Sequence, residues 1–366
     1  MNLLDVGLVV IGLVCLVAGG EGLVRGASAI ARRLGMSPLV VGLTIVAVAT
    51  SSPELAVTTG AVLRGQPELA VGNVVGSNIA NVLLILGASA LILPLVARRR
   101  LVRFDVPVMV VASVLLLVLA LDGLISTWEG LLLLALFVGH TAWSVVTGRG
   151  ESSSDEERAE EIPGIGRAVV FVVVGVGLLV AGAQWLVSGA SSIASALGLS
   201  DLVIGLTVVA IGTSLPELAT SLIAVRQGER DLAIGNVVGS NIANIGLVLG
   251  LPSIITSPGI PVPQAAIALD IPLMIAAAIA LLPVAFTGFV IERWEGGLFL
   301  ALYVSYVVYL VLWATEHDAL GGFTVVMTAF VLPIVALTLI LLVAYEIGLR
   351  RGRAQMRDAI RGRRPG

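Results

Sequence analysis

GLTIVAVATSSPEL (42–55) and GLTVVAIGTSLPEL (205–218) are one segment written twice, 163 residues apart. Seventeen residues past the end of each comes GNVVGSNIAN, at 72–81 and again, letter for letter, at 235–244. These blocks collect Thr50, Ser51, Pro53, Glu54, Ser77, Asn78 and Asn81, with counterparts Thr213, Ser214, Pro216, Glu217, Ser240, Asn241 and Asn244. Everything around them is apolar. Polar groups at that density in hydrocarbon are costly and mark functional sites.

The repetition spreads outward from the blocks. GGEGLVRGASAIARRLGMS (19–37) matches GAQWLVSGASSIASALGLS (182–200). Downstream, Asp105-Val106-Pro107 and Met109 match Asp270-Ile271-Pro272 and Met274, and Trp128-Glu129-Gly130 matches Trp294-Glu295-Gly296. The chain has 366 residues, of which 58% are hydrophobic and 12% charged, at a mean hydropathy of +1.07. Soluble domains carry roughly 25% charged residues, so this is a polytopic membrane protein set in a lipid bilayer, and no nucleic-acid partner is expected.

A crossing needs about 20 apolar residues. That places helices near 4–33, 38–63, 68–96, 104–121, 124–147, 166–196, 201–226, 231–256, 265–290, 294–315 and 321–348, eleven in all. Ser37-Pro38 and Ser200-Asp201 read as helix starts. The first apolar run has no basic leader and reads as a retained helix. Each half holds five helices, an odd number, so similar halves enter the membrane in opposite senses. The expected fold is all-α, two inverted five-helix repeats plus an eleventh helix, the architecture of secondary transporters. The divisions are 1–147, an acidic linker at 148–165, 166–315, and a terminal helix with an arginine-rich tail at 316–366.

All 21 basic residues are arginine. Only Arg64 falls outside if the N-terminus is external and Arg25 lies within helix 1, while Arg32, Arg33, Arg98, Arg99, Arg100, Arg103, Arg149, Arg158, Arg167, Arg226, Arg230, Arg293 and the seven tail arginines fall inside. The positive-inside rule therefore sets the N-terminus out and the C-terminus in. Cys15 is alone and forms no internal disulfide. Glu21 and Arg25 have the spacing of a local ion pair. His140 and His317 read as incidental, and Asp105 and Asp270 as structural acids near helix starts.

The chemistry follows from the residue types. Proline supplies no N–H to the carbonyl four residues back, so Pro53 and Pro216 free carbonyls around Ala49-Thr50 and Gly212-Thr213. Ala47, Thr50, Ser51 and Glu54 share a helical face, as do Asn73, Ser77 and Asn81 on the next helix. Every donor is oxygen, which suits hard cations and disfavours zinc or copper. Pseudo-symmetry brings Glu54 and Glu217 together near the midplane. At about 8 Å and an effective dielectric of about 20 they repel by roughly 2 kcal/mol, so the pair holds metal or protons and exchange is favoured over leak. Gly72-xxx-Gly76 and Gly235-xxx-Gly239 permit close helix contacts, with backbone bending near the ligands as a second reading for Gly76 and Gly239. An intramembrane hydrolase lacks any nucleophile–base constellation here. A channel fits poorly with inverted halves crossing at carboxylates.

The paired blocks resemble the α-repeats of the cation/calcium antiporter superfamily, most closely its prokaryotic sodium/calcium exchangers, over residues 4–315. The resemblance implies a Ca²⁺ site bridged by Glu54 and Glu217 and completed by the carbonyls of Thr50 and Thr213. It implies Na⁺ sites at Ala47, Ser51, Ser77, Ala210, Ser214 and Ser240, with Asn81 and Asn244 as amides at the centre. Ca²⁺ and Na⁺ are then substrates, and no cofactor is expected. Helices 1 and 6 would slide across the remaining bundle, with Gly26-Ala27-Ser28 and Gly189-Ala190-Ser191 as the sliding runs. Potassium-dependent relatives carry Asp at the position of Asn244, and proton-coupled relatives usually replace the Thr-Ser pair with a Gly-Asn type sequence. Na⁺ is therefore the expected coupling ion, with Ca²⁺/H⁺ exchange as the alternative. Helix 11 lies outside the ten-helix pattern.

Overall fold

Ser37 opens the second helix as its sequence suggests. Its hydroxyl accepts the Val40 N–H at 3.4 Å, and Pro38 occupies the first turn, where its missing N–H costs nothing. The computed structural model describes residues 3–148, 164–198 and 200–361, so most of the acidic linker and the end of the tail lie outside the described residues. Among the described residues nine helices are long and apolar enough to cross a membrane, and two bent pairs, each taken as one span, bring the number to eleven. They are α1 (Leu3–Leu34), α3 (Pro67–Ile92), α4 (Leu101–Ala120), α5 (Thr127–Thr147), α6 (Ile165–Ala196), α8 (Arg230–Ile255), α9 (Ala266–Phe286), α10 (Arg293–Ala314) and α11 (Ala319–Leu349). The bent pairs are α2 (Pro38–Thr50 then Ser52–Leu63, 43°) and α7 (Thr207–Thr213 then Leu215–Arg226, 61°), the latter preceded by Asp201–Ile204.

Two short strand pairs record the inversion. β1 (Leu95–Val96) follows α3, β2 (Leu124–Ser126) follows α4, β3 (Gly259–Pro261) follows α8, and β4 (Val290–Ile291) follows α9. In the repeat, β1 corresponds to β3 and β2 to β4. Yet β1 pairs with β4 and β2 with β3, both antiparallel. Corresponding connections therefore lie on opposite faces of the molecule, which is possible only for halves of opposite orientation.

Arginines gather on the β1–β4 face. Arg32, at the end of α1, lies 3.7 Å from Glu229 before α8, and Arg98 pairs with Asp231. Arg230 and Arg293 donate to the carbonyls of Pro94 and Ile92, each at 3.3 Å. The connections after α1, α3, α7 and α9 thus meet on one face, called the arginine face below.

α1 and α6 are joined along a seam of small residues spaced by sevens. A Cβ built at Gly12, Gly19 or Gly26 would stand 2.6–2.7 Å from the carbonyl oxygens of Gly182, Gly175 and Ala168. Gly189 faces the Asp5 carbonyl at 2.6 Å in the same way. Gly26 and Gly189, read as sliding surfaces, instead fasten α1 to α6, since backbones approach this closely only where side chains are absent. Glu21 and Arg25 are both exposed and make no ion pair within 4 Å among the described residues.

The histidine expectation fails at one of its two positions. His140 on α5 is buried, with Nε2 3.1 Å from the carboxylate of fully buried Asp105. Arg100 lies 3.8 Å from the same carboxylate and stacks over Trp143 at 5.0 Å. Thirty-five residues separate His140 from Asp105, so helical spacing could not reveal the pair. His317 is exposed and only caps its own turn, accepting the Ala319 N–H at 3.1 Å.

Candidate functional site

Both blocks fold into the same parts. In α2 the helix breaks at Ser51 and in α7 at Ser214, each just ahead of the proline. Among the described residues no backbone N–H is bonded to the carbonyl of Thr50 or Thr213. Those two oxygens are therefore free at the bends, as the prolines require. The Ala47 carbonyl differs from expectation: it accepts the Ser51 N–H at 2.9 Å and shares the Thr50 hydroxyl at 3.3 Å. The Ser214 amide turns instead to Ile211, at 3.1 Å.

π-helical turns open both first blocks, at Gly42–Val46 and Gly205–Val209, and start at the last asparagine of both stripes, at Asn81–Leu86 and Asn244–Leu249. Such turns re-aim side chains and recur at functional sites. Neither composition nor spacing announced them.

The bends bring Glu54 and Glu217 to the centre, both with no exposed surface. Ser51 Oγ donates to Glu217 Oε1 at 3.4 Å, a bond between the two halves. Among the described residues these oxygens find no hydrogen-bond partner: both of Glu54, Oε2 of Glu217, the hydroxyls of Ser77 and Ser214, and Oδ1 of Asn81 and Asn244. A buried carboxylate without a partner is strongly destabilising. A set of carboxylate, hydroxyl, amide and carbonyl oxygens suits hard cations such as calcium or sodium, calcium taking six to eight oxygens in flexible geometry. Among the described residues no group of three or more His, Cys, Asp or Glu forms a softer metal site.

Around these atoms runs a scaffold of amides that the sequence reading did not resolve. Asn78 Nδ2 donates to the Asn241 carbonyl at 3.3 Å and lies 3.4 Å from Met274 Sδ, and Asn241 Nδ2 lies 3.4 Å from Met109 Sδ. The repeated methionines thus serve as acceptors for the repeated asparagines, and their matched positions were the available signal. Asn244 Nδ2 donates to Asn78 Oδ1 at 3.1 Å, a bond that an ionised aspartate at position 244 could not donate.

The two halves are not in the same state. α2 lies directly on α8: a Cβ at Gly235 would meet the Leu39 carbonyl at 2.6 Å, and one at Gly239 would meet Leu43 at 2.7 Å and Ala47 at 2.8 Å. Thr50 and Ala47 are buried there, and Thr50 and Ser240 hydroxyls lie 3.4 Å apart. On the symmetric side, a Cβ built at Gly72 or Gly76 of α3, or at Gly205 just ahead of α7, would meet nothing within 4 Å among the described residues. Ala210 is exposed and Thr213 half-buried. The close-contact reading thus holds for Gly235 and Gly239 and fails for Gly72 and Gly76, because α7 stands away from α3. The site is shut toward the arginine face and open toward the other.

Inverted halves, bent helices crossing at paired carboxylates, and access from one side define a secondary transporter. The sequence pattern of the sodium/calcium exchanger protein family matches residues 4–146 and 167–312, nearly the whole repeat. The chain belongs to the sodium/calcium exchanger family, whose members are transporters rather than enzymes. It is 43% identical to the putative antiporter CaxA of Alkalimonas amylolytica over 75% of this chain and 87% of that one. With the sodium/calcium exchanger MaX1 of Methanosarcina acetivorans it shares 34% identity, over 83% of this chain and 97% of the relative. Its fold matches the sodium-calcium exchanger NCX_Mj, soaked with zero Na⁺ and Ca²⁺, at a TM-score of 0.74 and 34% identity, covering 85% of this chain and all of the other.

Proposed function

We propose that the protein exchanges Ca²⁺ for Na⁺ by alternating access at one site between α2, α3, α7 and α8, without a requirement for K⁺. The observation that carries this reading is the convergence of partnerless buried oxygens on Glu54 and Glu217. Ca²⁺ lies between the two carboxylates and the free carbonyls of Thr50 and Thr213. Na⁺ ions take the flanking oxygens of Ser51, Ser77, Ser214 and Ser240 with the carbonyls of Ala47 and Ala210, while Asn81 and Asn244 line the centre. The Ala47 carbonyl joins once α2 shifts off its present bond.

The paired charges explain coupling. Two ionised carboxylates cannot cross between states without a counter-charge, so each reorientation carries cargo. Hydroxyls and carbonyls beside the carboxylates serve a metal ion and are superfluous for protons, which favours Na⁺. Asn244 donates to Asn78 and brings no third carboxylate, unlike the aspartate of potassium-dependent relatives. The positive-inside rule makes the arginine face cytoplasmic, with the N-terminus outside and the C-terminus inside. The conformation described here is then open to the exterior.

The test is ⁴⁵Ca²⁺ uptake into Na⁺-loaded proteoliposomes diluted into Na⁺-free buffer, with pH clamped and K⁺ absent. Uptake under these conditions is expected. Uptake that fails there but follows an imposed pH gradient assigns the protein to Ca²⁺/H⁺ exchange instead.

A further inference from the structure

Two asparagines outside the ligand set occupy matching places in α3 and α8, yet they are bonded differently. Asn236 is fully buried. Its Nδ2 donates to the Glu217 carbonyl at 3.5 Å and to Ser221 Oγ at 3.0 Å. Its Oδ1 accepts the hydroxyl of Thr50, from the other half, at 3.1 Å. Asn73 repeats the donor side, with Nδ2 on the Glu54 carbonyl at 3.2 Å and Thr58 Oγ1 at 3.0 Å. Its acceptor side is unmatched. Asn73 and Thr213 are both only half-buried, and among the described residues they share no bond.

We propose that Asn236 and Asn73 are positioning residues forming an alternating latch, each holding the threonine of the opposite half only while its own side of the site is shut. The inference rests on the alternating-access reading above and names the bond that changes hands. Each amide keeps its donor bonds to the glutamate-bearing helix in both states, because those lie within one half. Only the acceptor bond crosses between halves, and it sits at the inner end of the contact that opens. On the arginine face, the α2 segment from Gly42 to Thr50 lies on Gly235 and Gly239, and the Thr50–Asn236 bond closes that contact beside Glu217. On the open face, the α7 segment stands off Gly72 and Gly76, and the Thr213 hydroxyl has not reached Asn73. Carrying α7 onto α3 by the pseudo-symmetry puts Thr213 against Asn73 as Thr50 now stands against Asn236. The carbonyls of the same threonines face the cation, so the latch sets the ligand carbonyls as it sets the gate.

The bond is closed on one side only in the ion-free protein, so the two threonines are tested together, each against the segment of its own half. Thr50→Val and Thr213→Val remove each hydroxyl while keeping its shape, and both retain the backbone carbonyl. Amide hydrogen exchange is followed by mass spectrometry on the full chain in lipid nanodiscs without Na⁺ or Ca²⁺. In T50V, exchange of residues 38–50 rises about fivefold, the equivalent of about 1 kcal/mol for one neutral hydrogen bond. Thr50→Ser restores protection, and T213V leaves residues 205–213 unchanged. If Val does not fit at position 50, Thr50→Ala carries the same comparison. Equal changes in the two segments, or no change in the position-50 variant, overturn the latch. Wild-type flux is measured on the same preparation: flux with symmetric exchange refutes the latch alone, and no coupled flux refutes the exchange reading.

Discussion

Gly239 and Gly76 are the same residue of the same ten-letter block, GNVVGSNIAN, yet a methyl group should act on them from opposite sides of the transport cycle. In the present conformation a Cβ at Gly239 stands 2.7 Å from the Leu43 backbone and 2.8 Å from Ala47 Cβ. Carbon atoms settle at about 3.5–4.0 Å, so α2 must back away from α8 by most of an ångström. Overpacking of this kind costs about 1–3 kcal/mol, and a shift of about 2 kcal/mol changes a two-state population by roughly 30-fold. Gly239→Ala therefore lowers the melting temperature of the ion-free protein and favours opening of the arginine face. A Cβ at Gly76 meets nothing within 4 Å among the described residues. Gly76→Ala leaves that melting temperature unchanged but obstructs α7 when it closes on α3, so transport falls by a similar factor. Thermal unfolding in nanodiscs and ⁴⁵Ca²⁺ flux in proteoliposomes, run on both variants, separate the two effects. Wild-type flux in G76A, or an unaltered melting temperature in G239A, would refute the reasoning.

Three further outcomes are expected. Glu54→Gln and Glu217→Gln each abolish Ca²⁺ flux while leaving the ion-free protein at least as heat-stable as wild type, because each removes a buried like-charge repulsion of roughly 2 kcal/mol. Asn244→Asp replaces the donor to Asn78 with an acceptor, so the ion-free protein loses about 1–3 kcal/mol, seen as a lower melting temperature that Ca²⁺ partly restores. With Cys15 replaced by alanine, a cysteine at exposed Gln66 is labelled by an impermeant reagent in intact cells and one at exposed Gln227 is not; the reverse pattern would invert the proposed orientation.

The fold was legible because its evidence is a repetition, and repetition needs no contact information. Five apolar segments per half, the bends at Pro53 and Pro216, and the clustering of Glu54 with Glu217 all follow from period and residue type. The shut and open faces were not legible, since Gly72 and Gly235 stand in identical sequence and differ only in what α2 and α7 are doing. A conformational state belongs to the whole chain, not to its local code. The Asp105–His140 pair was hidden by its separation along the chain. The seven-residue spacing of Gly12, Gly19 and Gly26 was in plain view, and only its partner helix was missing.

The central claim is that one site binds Ca²⁺ and Na⁺ in turn, through Glu54 and Glu217. Equilibrium ⁴⁵Ca²⁺ binding to the purified protein, titrated with Na⁺ at constant ionic strength with choline as the replacement cation, tests it directly. The account predicts that Na⁺ displaces Ca²⁺ completely and with a Hill coefficient above one, because several sodium ions share the oxygens vacated by one calcium. Calcium binding that persists undiminished at saturating Na⁺ would contradict it.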